Sequence, residues 1–454
     1  MSATGKEPSL RALVDEVVAL LDTDEVVAQL DAEEDDEPRR SVRPVPAYGR
    51  LHETAAVLDW FDPQTIQPTS GAGDSESIDE LLAHCTQTVD GDGGRHWTLT
   101  PEIRVAVLRQ LRERGRVQSA LAASQGQPNG SRGALHAYLE GSPEALEVQS
   151  LPQLASSFEA CEWLRTAGFE GLPERDALQR RIDWLTLLEP FEHLAGTSFG
   201  GRTEELRRLR SYAEVLAPAA EENPEPPSGE PVVSRHQKPP LLIYGPGGVG
   251  KSTLLARFIL EHARALERDR FPFAYLDFDR PDVDASEPLT LLIEAVRQLA
   301  IEYPHARERC QRIREKWTES LISAQPPPTE LREKATLSLT VQARSAAVYD
   351  FAKLIESLGA NDRPVLFVLD TFEEVQWRSE EDVAGVWTML EQLQPAVNRL
   401  RVCIAGRGQL PGRTTEELPL TGLDEEARSA TCSTAASPTW WSPGASPARS
   451  VGAR

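Results

Sequence analysis

The strongest constraint on what this chain can fold into is the run LLIYGPGGVGKSTLLARFI, Leu241 to Ile259. A short apolar stretch enters an eight-position loop, Gly245 to Ser252, with the pattern G-x-x-x-x-G-K-[ST], and amphipathic helical text follows at once. Glycines at 245, 247, 248 and 250 permit backbone angles and close approaches closed to other residues, so successive N–H groups can turn inward onto phosphate oxygens. The N-terminus of the next helix adds its partial positive charge. Gly245, Pro246, Gly247, Gly248, Val249 and Gly250 are therefore candidate nucleotide-binding residues. Lys251 is expected to bridge the β and γ phosphates, Ser252 to ligate Mg2+, and Thr253 to reach the α phosphate. The plainer alternative is an ordinary glycine-rich turn between strand and helix.

The flanks fit the phosphate-binding reading. From Leu241 onward short apolar runs (LLIY, FAYLDF, VLFVLD, RVCIAG) alternate with helical stretches such as LTLLIEAVRQLAIEY and VAGVWTMLEQL. That alternation builds a parallel sheet sandwiched by helices, so the expected fold is an α/β P-loop NTPase domain. A magnesium site needs a carboxylate, and Asp370 closes VLFVLD at the C-terminal edge of a buried strand, where such folds bind ligands. Glu373 and Glu374 follow, and either one can polarise the attacking water or simply begin a solvated helix. Arg407, just after RVCIAG, is a candidate sensor of the γ phosphate through paired hydrogen bonds. Lys251, Asp370, Glu373, Glu374 and Arg407 form the catalytic set, with Ser252 and Asp370 as metal ligands.

Elsewhere the text is less specific. Residues 1–195 read as a mainly α-helical N-terminal region with flexible loops; WTLTPEIRVAVLRQL sets Leu99, Ile103, Val107 and Leu111 on one helical face that Thr100 can cap. The ATPase text spans 196–428 and contains a Pro/Glu-rich insertion at 217–240, while 429–454 reads as a disordered tail. A second excursion is expected at AQPPPTELREK. A formal net charge of −23 disfavours nucleic acid as a partner. The five cysteines include no C-x-x-C pair, and no apolar run approaches the ~18 residues of a membrane span, so a cytoplasmic protein is expected.

Taken in order, FGGRTEELRRL, GPGGVGKST, VLFVLDTFEE, RVCIAGRG and LPLTGLDEEAR resemble the signal-transduction ATPases with numerous domains, a branch of the AAA+ and NB-ARC-like proteins. The resemblance covers roughly 197–428. It implies that Phe199, Gly201 and Arg202 lie at the nucleotide, and that the nucleotide is ATP or ADP; no N-K-x-D-like guanine-reading stretch is visible. It further implies a signalling switch: ADP holds a compact resting state, ATP releases a state able to form a homo-oligomer, and slow Mg2+-dependent hydrolysis resets it. The N-terminal region is then an effector or adaptor with a protein partner.

Members of that group continue into a helical lid and a winged helix, whereas here 31 residues follow Leu423. The expectation is a chain truncated after its core ATPase domain, its last residues either a disordered tail or the product of a shifted reading frame. Thr371 also stands where many relatives carry a second acid, which weakens the expectation of efficient hydrolysis. The competing readings are an initiator-type DNA-loading ATPase, a metabolic kinase, and a nucleotide-binding remnant without regulated switching.

Overall fold

The structure, a computed structural model, describes residues 48–70, 76–89, 94–125, 130–196, 200–214, 237–265, 270–324, 333–359 and 363–422. The N-terminal helical text before residue 48, Phe199, the body of the Pro/Glu insertion, most of AQPPPTELREK and the tail all lie outside the described residues. Two compact units divide the chain, residues 1–185 and 186–454. No described helix is long and apolar enough to cross a membrane.

In the first unit, helices α1 (Arg50–Ala56), α2 (Ile78–Leu82), α3 (Pro101–Glu113), α4 (Val117–Gln125), α5 (Ala134–Glu140) and α6 (Leu151–Thr166) accompany four short strands. These strands, β1 (Trp60–Phe61), β2 (Cys85–Val89), β3 (Arg95–Leu99) and β4 (Gly130–Ser131), pair antiparallel in the order β2-β3-β1-β4. This sheet is not marked by the periodicity of the sequence. Leu99, expected on the helical face, instead ends β3, and the helix starts one residue after Thr100 on Pro101. Proline fixes φ for a first helical turn and forces its predecessor extended, which separates strand from helix at that point. Thr100 is the N-cap residue but makes no side-chain capping bond.

The organising side chain of this unit is Arg104, which is fully buried. Its guanidinium donates to the carbonyls of Ala56 (3.2 Å), Leu58 (2.5 Å) and Asp59 (3.2 Å) and to Thr98 Oγ1 (2.8 Å). Trp163 of α6 lies 4.5 Å beneath it. Carbonyls stranded where α1 gives way to β1 are thus satisfied by one cation, as buried polar groups require.

Helix α7 (Arg175–Ala195) runs into the second unit, so the division between units falls inside this helix. The second unit then adds α8 (Thr203–Ala213), β5 (Leu241–Tyr244), α9 (Lys251–Ala263), β6 (Phe273–Asp277), α10 (Leu289–Glu302), α11 (Arg307–Ala324), α12 (Glu333–Ser357), β7 (Val365–Asp370), α13 (Glu373–Arg378), α14 (Glu380–Ala396), β8 (Leu400–Gly406) and β9 (Glu416–Pro419). All its strands are parallel, in the order β6-β7-β8-β5-β9. Every residue of β7 and β8 is buried, which explains the unbroken apolar text of central strands covered on both faces.

β6 is an edge strand, and α10 closes it. The Gln298 side chain accepts from Tyr275 N and donates to Tyr275 O, both at 2.8 Å, and Glu302 accepts from Phe273 N at 3.2 Å. Two side chains thereby occupy backbone groups that would otherwise template a further strand.

Candidate nucleotide site

The loop sits at the C-terminal edge of β5. Leu420 N donates to Tyr244 O at 2.7 Å, and a Cβ placed on Gly245 would lie 2.4 Å from Leu420 O, so only glycine lets the chain after β9 pass this close. Gly248 and Gly250 have φ of 74° and 93°, and a Cβ on either would meet nothing within 4 Å. Here the glycines serve backbone angle rather than space. Gly250 caps α9, whose first residue is Lys251; Lys251 Nζ is buried and donates to Gly245 O (3.0 Å) and Pro246 O (3.2 Å). Ser252 and Thr253 follow in the first turn of α9, half-buried.

Asp370 ends β7 beside this turn. One carboxylate oxygen accepts from Thr371 N at 2.9 Å and the other from the Tyr275 hydroxyl. Burial pushes its pKa up, while Tyr275, Ser252 and the Thr371 amide pull the other way. Asp277, its partner across β6 and β7, accepts from Thr371 Oγ1 at 2.8 Å. Thr371 has φ of 57°, a left-handed conformation uncommon for a β-branched residue and a mark of local strain.

This donor set fits magnesium. Ser252, Asp370, Thr371 and Asp277 present hard oxygens at one spot. A magnesium ion takes one or two carboxylates and completes its shell with water and phosphate, so a set of this size suffices.

Glu373 and Arg407 form a pair at the loop's other side. Arg407 Nε donates to Glu373 Oε1 at 2.9 Å, its guanidinium lies 5.0 Å over Trp377, and its Cζ stands 3.7 Å from where a Cβ on Gly247 would be. Glu373 is buried and its Oε2 has no hydrogen-bond partner among the described residues. Glu374 is only half-buried. The structure thus separates two glutamates that the sequence left equivalent.

Arg202 lies buried beneath the loop. It donates to Val249 O (3.1 Å), Thr421 O (2.6 Å) and Glu205 (2.7 Å). Gly201, with φ of 75°, precedes it. Sequence reasoning missed Tyr275 and Asp277, and took the Leu420–Thr421 segment only as part of the resemblance carried by LPLTGLDEEAR. The signal for the first two was FAYLDF, where a hydroxyl and a carboxylate interrupt an apolar strand.

Sheet order, loop and carboxylate define a P-loop NTPase domain. Its type follows from comparison: the model of the AAA ATPase domain matches residues 231–404, and the chain carries a P-loop ATPase domain of the AAA type. A probable ATPase of Lysobacter enzymogenes is 26% identical over 388 residues, covering 79% of this chain and 33% of its own length. This chain therefore spans about a third of that relative. A Walker-type ATPase of Pyrococcus abyssi is 17% identical, with a TM-score of 0.27 over 51% of this chain and 56% of that one.

Proposed function

We propose that the chain is a nucleotide-dependent regulatory switch of the signal-transduction ATPase kind, which binds ATP with Mg2+, hydrolyses it slowly and passes the state of the nucleotide to neighbouring chain. The observation that carries this reading is Arg202, whose guanidinium ties the loop carbonyl of Val249 to the carbonyl of Thr421, just past the last strand. A nucleotide that reshapes the loop bears directly on the segment leaving the sheet, and a switch needs that kind of differential contact.

Within the site, the amides from Gly248 to Ser252 and the α9 N-terminus hold the phosphates, and Lys251 exchanges its two loop carbonyls for phosphate oxygens. Ser252 and Asp370 would hold the metal, which would supply charge neutralisation to the phosphates. Glu373 takes the proton from water as its oxygen bonds to the γ phosphorus and the bond to ADP breaks. Arg407 leaves Glu373 for the γ phosphate, so the same arginine that senses ATP frees the base. The first unit serves as the effector or adaptor, with a protein partner, and the ATP state forms homo-oligomers; the setting is the cytoplasm.

The test is the nucleotide content and oligomeric state of the purified chain, with Lys251→Ala as control. Tightly retained ADP lost in Lys251→Ala, and a larger assembly with ATP, are the expected results. Rapid multiple turnover by a constant monomer would overturn the switch.

A further inference from the structure

We infer that Tyr275 is a positioning residue for the metal-holding carboxylate of Asp370, and that Phe191 of α7 fixes the tyrosine from behind. The inference rests on the proposed binding of ATP with Mg2+, but concerns residues that neither the loop pattern nor the strand-end carboxylate points to.

Tyr275 sits in the middle of edge strand β6, with its backbone N–H and C=O both held by Gln298. Its hydroxyl donates to Asp370 Oδ2, opposite the Thr371 amide on Oδ1. Two donors on opposite oxygens fix the plane of the carboxylate; a metal ligand that rotates freely pays that entropy at each binding event, and outer partners of ligands typically govern affinity by 10–100-fold.

The ring has little freedom. Tyr275 is 5% exposed, and Phe191 packs edge-on against it with centroids 4.9 Å apart and planes at 76°, while also meeting Phe273 at 6.4 Å. Phe191 is itself 3% exposed. Edge-to-face packing of this kind prefers one ring orientation, and that orientation aims the hydroxyl.

A purely structural tyrosine would need only some acceptor for its buried hydroxyl. This one takes the carboxylate oxygen on the side away from the Thr371 amide. The same hydrogen bond that satisfies the tyrosine therefore sets where the free lone pairs of Asp370 point.

The experiment measures binding of a fluorescent N-methylanthraniloyl ATP analogue to the full chain, first in excess EDTA and then across a Mg2+ titration. Tyr275→Phe keeps the ring and its packing on Phe191 but removes the hydroxyl. The expected result is metal-free affinity within about twofold of wild type and a half-saturating Mg2+ concentration raised about tenfold. Phe191→Leu, which keeps the hydroxyl but loosens its aim, is expected to raise it about threefold. An unchanged Mg2+ midpoint in Tyr275→Phe, or an equal loss with and without metal, overturns the inference. If Tyr275→Phe does not fold, Phe191→Leu decides by the same two criteria. Failure of wild type to bind the analogue at all would instead sink the proposed function, so the two failures are distinct.

Discussion

Alanine at Gly245 would place its methyl carbon 2.4 Å from Leu420 O and 3.3 Å from both Leu420 C and Val249 Cγ1. To restore ordinary contact the carbonyl must retreat by about 1 Å. It cannot move alone, because Leu420 N is bonded to Tyr244 O at 2.7 Å and the next carbonyl, of Thr421, holds Arg202 at 2.6 Å. Overpacking of this kind costs about 1–3 kcal/mol, and weakening one backbone hydrogen bond adds about 1 kcal/mol. At roughly 2–4 °C per kcal/mol for a unit of this size, the unfolding temperature of the ATPase unit should fall by roughly 5–15 °C. Gly247→Ala is the matched control: its nearest neighbour would be the Arg407 guanidinium at 3.7 Å, and its φ lies outside the left-handed region. That variant should melt within about 2 °C of wild type, since surface changes of this kind cost little. Differential scanning calorimetry without nucleotide reads both. If the two variants melt together, the steric account of Gly245 is wrong.

Arg104→Met should destabilise the first unit by about 3–5 kcal/mol, because two buried carbonyls and a part-buried one lose their donor together, and limited proteolysis should cut that unit first. Glu373→Gln should lower single-turnover ATP hydrolysis by about 100-fold or more while ATP affinity stays within threefold, and Glu374→Gln should leave both near wild type; rapid-quench kinetics with equilibrium binding separates the two. His262 supplies a pH prediction. Burial holds its pKa down to about 4, and its Nε2 accepts from Phe271 N at 2.8 Å. Below pH 6.5 the unfolded chain takes a proton that the folded one refuses until about pH 4, so its stabilising effect is complete above 6.5 and is lost as pH falls through that window, by about 3 kcal/mol. Urea midpoints of wild type and His262→Gln measured from pH 7 to 4 should converge as pH drops; a constant difference would refute the assignment.

Much of the candidate site's local geometry was legible from the chain because its signals are local. A lysine and a serine at the head of a helix, glycines that permit left-handed angles, and an aspartate ending an apolar run are all set by neighbours within a few positions. The same holds for β5 to β8, whose apolar text follows from burial on both faces. Strand β3 is not legible in the sequence because it carries mixed polar text and lies one residue before a strongly periodic helix, whose period overruns it.

What the amino-acid order determined, then, is the glycine-rich strand-to-helix loop, the carboxylate ending β7 and the parallel α/β architecture around them. Tertiary structure alone decided that Gly245 faces the Leu420 carbonyl, that Arg202 spans from Val249 to Thr421, that Arg407 pairs with Glu373 rather than Glu374, and that Tyr275 orients Asp370. Each of these joins residues far apart in the chain. Periodicity reports which face of an element is buried, but it carries no information about which distant side chain arrives there; strand order and packing settle that.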